Sequence, residues 1–248
     1  MSLIVTVYVS EGIVMASDSR ISITTSTEIN DGSDGNPKVI KETMVHFSDT
    51  SYKTFLMNNK IGISSCGNAT VNGAPIAGHI ETFIRENSGC SIKEIPEKIR
   101  DYFHELVPER NTTFFVAGYD MSDENASQCV YRINTNPTTG DGIESYDTSA
   151  SNIIWDGERD VPSRLFTDLY IKKTDAQGNE TYKQHQYYSL ASQFWTLQDA
   201  IEVSEFVISA TISSMKFQKR AKTVGGPVDI LVIKPEGAHW IQRKELHP

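Results

Sequence analysis

The first twenty residues of the chain restrict its fold more than any other stretch. Residues 3–9 are rich in Ile, Val, Tyr and Thr, and residues 13–18 form a second apolar run after Ser10-Glu11-Gly12. This pattern predicts a β-hairpin whose first strand is buried on both faces. The second strand ends in Asp18-Ser19-Arg20, and Ser2 lies just before the first. A nucleophile at a chain terminus makes chemical sense, because a free α-amino group can act as its base.

The rest of the chain divides into alternating runs of strands and helices. The predicted strands cover residues 3–9, 13–18, 21–27, 42–49, 53–58, 61–65, 113–119, 128–134, 143–147, 152–155, 228–233 and 239–244. The predicted helices lie around residues 77–86, 91–106, 159–170 and 196–218, and residues 172–187 form a loop or a hairpin. Segregated runs of this kind favour an α+β fold, with helices on the outer faces of antiparallel sheets.

The composition excludes several classes of protein. The 248 residues are 38% hydrophobic, which is enough for a sizeable core and unlike a disordered or fibrous chain. A formal net charge of −9 disfavours nucleic acid and anionic membrane surfaces as partners. No apolar run approaches the length of a membrane span, and the N-terminus does not resemble a secretory signal. We therefore expect a cytoplasmic protein that binds neither nucleic acid nor membrane.

The cysteines and histidines do not predict a metal or disulfide site. Cys66, Cys90 and Cys129 are odd in number and lack Cys-x-x-Cys spacing, which argues against a disulfide framework and a zinc site. The six histidines also lack the spacing of metal ligands. We expect no metal and no other cofactor. No His is placed by local spacing to activate Cys66, so that residue is expected to be a small packing residue.

Several of these segments together resemble a known family. The N-terminal strand, Gly12, the apolar strand and the run Ala16-Ser17-Asp18-Ser19-Arg20 look like the β-type subunits of the proteasome, which are N-terminal-nucleophile hydrolases. Lys53 opens a strand and is followed after fourteen residues by Gly67, which is the interval between the family's catalytic Lys and its oxyanion Gly. The closing stretch 224–232 (VGGPVDILV) is most similar to bacterial branches such as the ancestral-β-subunit (Anbu) group.

The resemblance implies both a fold and a set of site residues. The fold would be an αββα sandwich of four layers, with two antiparallel sheets between helical layers. Ser2 would be the nucleophile, and Lys53 would lower the proton affinity of its α-amine. Asp18 would orient Lys53 as its ion-pair partner, and the Gly67 N–H would face the oxyanion. By the same resemblance the primary substrate pocket would be small and partly polar and lined by Ile21, Ser51, Ser65 and Ala69, with Arg20 in support.

Three of these residues also have purely structural interpretations. Asp18 and Arg20 are suited to an ion pair at a strand end, and Gly67 is suited to a tight turn between a strand and a helix. One domain is expected over residues 1–248, with insertions relative to a minimal subunit at 21–52 and 171–190.

The chain departs from the family pattern at two places. Ala221 and Val224 stand where the family has an Asp and a Ser that support the terminal amine. The family's mid-chain Gly-Ser-Gly has no match, and Asp156-Gly157-Glu158 is the nearest segment. These departures leave the supporting groups of the terminal amine unassigned.

Three functions remain open from the sequence. The first is an N-terminal-serine hydrolase that cleaves peptide bonds through an acyl-enzyme on Ser2, after removal of Met1, which a small second residue favours. Its substrates would be peptides or unfolded proteins, within a homo-oligomeric ring or helical stack that an ATP-dependent unfoldase could serve. The others are a non-catalytic proteasome-like assembly subunit, favoured by Ala221 and Val224, and an amidase for small molecules.

Overall fold

A computed structural model describes residues 2–29, 39–122, 126–138, 141–185 and 188–245, and only the backbone of residues 24–29 and 39–46. The strands are β1 (Leu3–Val9), β2 (Gly12–Ser17), β3 (Ile21–Ile29), β4 (Val39–Ser48), β5 (Thr54–Met57), β6 (Ile61–Cys66), β7 (Thr70–Val71), β8 (Ala74–Pro75), β9 (Thr113–Asp120), β10 (Ser127–Asn134), β11 (Ile143–Ser145), β12 (Asn152–Gly157), β13 (Tyr170–Thr174), β14 (Glu180–Gln184), β15 (Asp229–Lys234) and β16 (Gly237–Gln242). The helices are α1 (Ile76–Glu86), α2 (Ile95–Leu106), α3 (Asp160–Phe166) and α4 (Leu197–Phe217), with a single 3-10 turn at Ser192–Phe194.

Most strands form two five-stranded antiparallel sheets. The first has the order β12-β1-β2-β15-β16 and the second has the order β11-β10-β9-β6-β5. The predicted hairpin of β1 and β2 is present, with Ile4 opposite Ser17 and Val9 opposite Gly12. The last strands of the chain complete the first sheet, because β15 pairs with β2. The predicted α+β class with antiparallel sheets is therefore confirmed.

Alternation along the strands creates three apolar clusters. Leu3, Val5 and Val7 of β1 face a cluster that includes Ala200, Val207 and Ile208 of α4. The opposite face of the same sheet joins Phe115 and Ala117 of the second sheet in a cluster between the sheets, and its members from the first sheet include Ile4, Tyr8, Ile13 and Met15. The third cluster holds residues of β5, β6 and β9 together with residues of α1 and α2. Strand β1 is thus covered on both faces, as its composition predicted.

Two helices begin or end at other residues than the sequence pattern indicated. The Ser91 N–H and hydroxyl both donate to the Glu94 carboxylate, at 2.8 and 2.7 Å, but α2 starts only at Ile95. Pro96 explains this start, since its ring nitrogen has no hydrogen to donate and is tolerated only in the first helical turn. The predicted helix 159–170 is shortened to α3, because Thr167 is extended and Tyr170 already pairs in β13.

Three strand pairs stand apart from the five-stranded sheets among the described residues, and β7 with β8 is the shortest. Strands β3 and β4 pair with each other, and so do β13 and β14, whose residues are exposed throughout. The β3–β4 hairpin lies within the range 21–52, and the β13–β14 hairpin lies within 171–190 apart from its first residue, Tyr170. Residues 30–38 and 186–187 are outside the described part of the chain. The assignment of these ranges as insertions stays a prediction. Among the described residues, no helix is long and apolar enough to span a membrane.

Gly62 is expected to be required for the contact between the sheets. A Cβ at this position of β6 would overlap Met15 Sδ and lie 2.8 Å from Ile233 Cδ1. Gly62→Val should therefore lower the free energy of unfolding by about 1–3 kcal/mol through overpacking, measured by urea denaturation. Gly78→Ala is the control, because a Cβ there meets nothing within 4 Å and should stabilise helix α1 by about 0.5–1 kcal/mol. Equal urea midpoints for the two variants would contradict this packing.

Candidate active site

Ser2 is held at the start of β1 by a backbone hydrogen bond from the residue that follows β12. Its carbonyl oxygen accepts a hydrogen bond from the Glu158 N–H at 2.8 Å. The adjacent residues Leu3 and Gly157 are opposite each other in the pairing of β1 with β12. The residue is only 8% exposed. Met1 lies outside the described residues, and its expected removal stays a prediction. The position of Ser2 is therefore set by β12 and the residue that follows it.

The Asp18 carboxylate collects donors from four parts of the chain. It accepts from the backbone nitrogens of Leu3 at 2.9 Å, Arg20 at 3.1 Å and Gly225 at 3.0 Å. It also accepts from Lys53 Nζ at 2.6 Å, and both side chains are buried. Burial lowers the pKa of Lys53, and the attraction of Asp18 opposes that shift. Lys53 therefore gives up a proton more easily than an exposed lysine.

Gly67 directly follows β6 and has a backbone conformation that favours glycine. Its φ is +105°, and a Cβ there would lie 3.1 Å from the Asn111 carbonyl oxygen. The expected turn between a strand and the segment leading to α1 is therefore present. This explains a glycine at position 67 without reference to any reaction, and an oxyanion role for its N–H stays a prediction.

Arg20 pairs with a different carboxylate from the one suggested by the sequence. Its Nε and Nη2 donate to the two oxygens of Asp49, at 2.7 and 2.8 Å, and its Nη1 donates to the Lys222 carbonyl oxygen at 3.0 Å. Only its backbone N–H reaches Asp18. The guanidinium therefore ties the start of β3 to residues 49 and 222, and the structural alternative of an Asp18–Arg20 ion pair is wrong.

One small cavity brings the predicted residues together. It is lined by Ser2, Lys53, Gly67, Arg20, Ile21, Ser51, Ser65 and Ala69, and also by Ser22, Tyr52, Cys66, Asn68 and Ile76. Asp18 is the predicted residue that does not line it, since that carboxylate lies behind the Lys53 ammonium. The cavity thus joins a hydroxyl, an ammonium group and a glycine at a strand end, which are the groups that acyl transfer uses.

The nearest match to the missing mid-chain motif lies directly against Ser2. Gly157 has a φ of +94°, and a Cβ there would overlap the Ser2 carbonyl oxygen. Asp156 receives hydrogen bonds from Arg159 and Arg132, which outweigh the effect of its burial and lower its pKa. Sequence spacing missed this contact, because β12 and β1 pair across about 150 residues. The signal that the sequence offered was a glycine between two acidic residues, Asp156 and Glu158.

The two family positions occupied by Ala221 and Val224 have a polar neighbour in Thr223. Val224 is buried in the cluster beneath α4. The Thr223 hydroxyl is 3.4 Å from the Glu158 carboxylate, which also accepts from Arg220 Nη1 at 3.0 Å. Glu158 is 5% exposed, so a buried carboxylate is present one residue beyond Gly157. Its partners lie more than 60 residues away, which no local pattern could indicate.

A second buried ion pair lies close to the first. Lys244, just after β16, donates through its ammonium and its backbone N–H to Asp229. Its Nζ lies 4.4 Å from the centre of the Tyr52 ring, next to Lys53 in the chain. Asp229 is opposite Ser17 across the sheet. Neither residue lines the cavity of Ser2, so the pair joins the C-terminal strand to the segment that carries Lys53.

Two other kinds of reactive site, a cysteine nucleophile and a metal centre, are not formed by the described residues. Burial raises the pKa of the Cys66 thiol far above its usual range, which disfavours the reactive thiolate. Within the described residues, no three of His, Cys, Asp and Glu are grouped so that they could hold a metal ion.

Removing the Lys53 ammonium should destabilise the fold strongly. Lys53→Met leaves the Asp18 carboxylate buried without its opposite charge, which is expected to cost about 3–5 kcal/mol. Lys172→Met is the matched control, since its pair with Glu180 is about half exposed and should change stability by about 1 kcal/mol or less. The measurement is the free energy of unfolding in urea. Similar losses in the two variants would contradict the buried pair.

Gly157→Ala should displace the start of β1. Its new methyl group overlaps the Ser2 carbonyl oxygen, and Ala is strained at this φ. Gly178→Ala is the control, because Gly178 has a similar φ of +85° with nothing within 4 Å of its Cβ. We expect the Gly157 variant to lose at least about 1 kcal/mol more than the control, and its Glu158 amide to exchange hydrogen faster. Unchanged protection at Glu158 would show that the methyl group is accommodated.

Comparison with known proteins shows a similar fold but little similarity in sequence. No protein-family model matches the chain, and no curated protein matches it by sequence. A solved structure of an Anbu mutant from Hyphomicrobium sp. strain MC1 superposes with a TM-score of 0.61 and 13% identity, over 98% of this chain and 86% of that one. The structure of Anbu (ancestral β-subunit) from Yersinia bercovieri superposes with a TM-score of 0.54 and 13% identity, over 96% of this chain and 86% of that one. The chain therefore has a proteasome-like fold similar to that of Anbu.

Proposed function

We propose that the protein is an N-terminal-serine hydrolase that cleaves amide bonds in peptides. The observation that carries this proposal is the cavity in which Ser2, Lys53 and Gly67 meet in front of Asp18. In this assignment Ser2 begins the mature chain and carries a free α-amino group. The three groups then supply a nucleophile, a positive charge beside it and a backbone donor.

The reaction proceeds in two steps. The neutral α-amine, with a reference pKa of roughly 7.7–8, takes the Ser2 hydroxyl proton while Oγ bonds to the substrate carbonyl carbon. The Gly67 N–H and Lys53 stabilise the negative charge on the carbonyl oxygen. The C–N bond then breaks, and the ammonium passes its proton to the departing amine. Water adds to the acyl carbon in the same manner, so the carboxylic acid leaves and Ser2 regains its hydroxyl.

Lys53 acts without leaving its ion pair. Asp18 holds the ammonium in place, and burial lowers the pKa of Lys53. A positive charge next to the α-amine favours the neutral, basic form of that amine. Glu158 and Thr223 take the supporting role of the absent Asp and Ser, because they lie next to the backbone contact that holds Ser2.

The fold and surface extend the proposal to an assembly. We assign the three apolar clusters to an αββα sandwich of four layers. Helix α4 presents Phe206 and Phe217, which are 53% and 89% exposed, and such apolar surface on a helix suits contact with further copies of the chain. A ring or helical homo-oligomer in the cytoplasm would restrict entry to peptides or unfolded proteins, with an ATP-dependent unfoldase as a partner.

A non-catalytic assembly subunit is the second candidate. Ala221 and Val224, at the two supporting positions, favour it. An amidase for small molecules would use the same nucleophile, since a fold does not determine its substrate. Comparing fluorogenic peptides with simple anilides distinguishes this activity from a peptidase.

A serine-directed probe tests the nucleophile. A fluorophosphonate should attach to Ser2 Oγ with loss of fluoride, and mass spectrometry of the intact protein and its peptides locates the adduct. Ser2→Ala should abolish labelling, Ser2→Thr should retain it, and Ser10→Ala is the control from the far end of β1. Cys66→Ala should label as the wild type does. A chain that keeps Met1, or an adduct that persists in Ser2→Ala, would contradict the mechanism.

A further inference from the structure

The hairpin of β13 and β14 has two exposed faces. Among the described strands, these two pair only with each other, and all ten of their residues are exposed. Tyr170, Ile171 and Tyr182 are 60%, 49% and 63% exposed. A hairpin of two strands is marginally stable in water unless it packs against another element. The described part of the chain does not cover these faces, so we looked for a partner surface of matching chemistry.

One face of the hairpin neutralises its own charge. The Lys172 ammonium forms an ion pair with the Glu180 carboxylate. The same carboxylate accepts a hydrogen bond from the Tyr182 hydroxyl at 3.3 Å. Because residues two apart in a strand share a face, Tyr170 lies on this side with Lys172. The charged groups of this face are therefore paired within the hairpin.

The opposite face carries two positive charges without a partner. Ile171 is opposite Lys183, and Lys173 is opposite Thr181. None of the ion pairs within the described residues involves Lys173 or Lys183. We call Ile171, Lys173 and Lys183 the basic face. Lysines on an exposed strand disfavour pairing with the edge of another sheet, so a partner is expected to contact this face and not the backbone edge.

Helix α4 has a surface of the opposite charge. Glu202, Glu205 and Phe206 are exposed, and Phe206 is 53% exposed. Glu202 precedes the other two by three and four residues, so it neighbours both on the helix surface. The Gln198 amide donates to Glu202 at 3.0 Å, but no lysine or arginine in the described residues forms an ion pair with either glutamate. We call Glu202, Glu205 and Phe206 the acidic patch.

The basic face and the acidic patch match in composition and spacing. Each has one apolar side chain beside two unpaired charges, and the charges are opposite in sign. Lysines on diagonal positions of a strand pair have Cβ atoms about 7–8 Å apart, and glutamates three residues apart on a helix have Cβ atoms about 5–6 Å apart. The flexible lysine side chains can bridge this difference. With a net charge of −9, copies of the chain repel one another unless such local pairs form.

We propose that the basic face of one copy docks on the acidic patch of a second copy. Ile171 packs on Phe206, and the two lysines pair with the two glutamates. This inference rests on the assembly in the proposed function and specifies its contact surfaces, but it does not involve the reaction at Ser2. Opposite charges around an apolar centre give the contact its orientation as well as its attraction.

Charge reversal on each surface tests the contact. Lys173→Glu/Lys183→Glu and Glu202→Lys/Glu205→Lys should each raise the dissociation constant of the assembly at least tenfold, because like charges then face each other. An equimolar mixture of the two variants should assemble again, and so should one chain that carries all four substitutions. The measurement is the mass of the full chain by size-exclusion chromatography with light scattering over a range of concentrations.

Matched controls change the same charge elsewhere. Lys60→Glu/Lys98→Glu and Glu105→Lys/Glu109→Lys alter exposed residues on other elements and should assemble as the wild type does. Urea midpoints check that every variant folds.

The outcomes distinguish the docking contact from the proposed function. Assembly that survives in either charge-reversed variant, a mixture that stays dissociated, or controls that dissociate equally would overturn the contact. A wild-type chain that is monomeric at all concentrations would overturn the assembly and this contact with it. Labelling of Ser2 by the fluorophosphonate is read separately, so a failed contact leaves the nucleophile in place.

Discussion

The buried carboxylate of Asp18 is the interaction on which the site depends. Its four donors come from the start of β1, the link between β2 and β3, the segment before β5 and the segment before β15. A carboxylate away from water is tolerated only with an opposite charge and hydrogen bonds. The four segments must therefore meet in one arrangement for the chain to fold. That requirement places Lys53 and the strand that begins at Ser2 side by side.

The first residues of most domains are poorly ordered, but here they are fixed from several directions. The Leu3 N–H binds Asp18, the Leu3 carbonyl accepts from the Asp18 N–H at 3.3 Å, and the Ser2 carbonyl accepts from Glu158. Backbone hydrogen bonds of this kind keep the first residues of a domain ordered. Gly157 permits it, because any side chain there would occupy the space of the Ser2 carbonyl. The backbone of Ser2 is thereby fixed in place, which the proposed nucleophilic attack would require.

The sequence predicted those features that depend on local pattern or on short intervals. The β1–β2 hairpin, the strand pair of β5 and β6, and α4 follow from periodicity and turn residues. Lys53 and Gly67 were identified because their interval of fourteen residues matches that of the family the chain resembles, and the other predicted cavity residues came from the same resemblance. The contacts of Gly157 with Ser2, and of Thr223 with Glu158, join residues that are remote in the chain, so only the folded topology reveals them. The start of α2 was misplaced because Pro96 outweighs the Ser91–Glu94 hydrogen bonds.

Two buried Lys–Asp pairs lie near one another, and they differ in their access to the cavity that Ser2 lines. Lys53 lines the cavity of Ser2, whereas Lys244 covers the Tyr52 ring and its charge is directed to Asp229. Burial lowers the pKa of both lysines, so a shifted pKa does not distinguish them. The difference is access to the space in front of Ser2. A buried ion pair supports chemistry only where the fold leaves one side of it open to the reacting atoms, and elsewhere it joins segments of the chain.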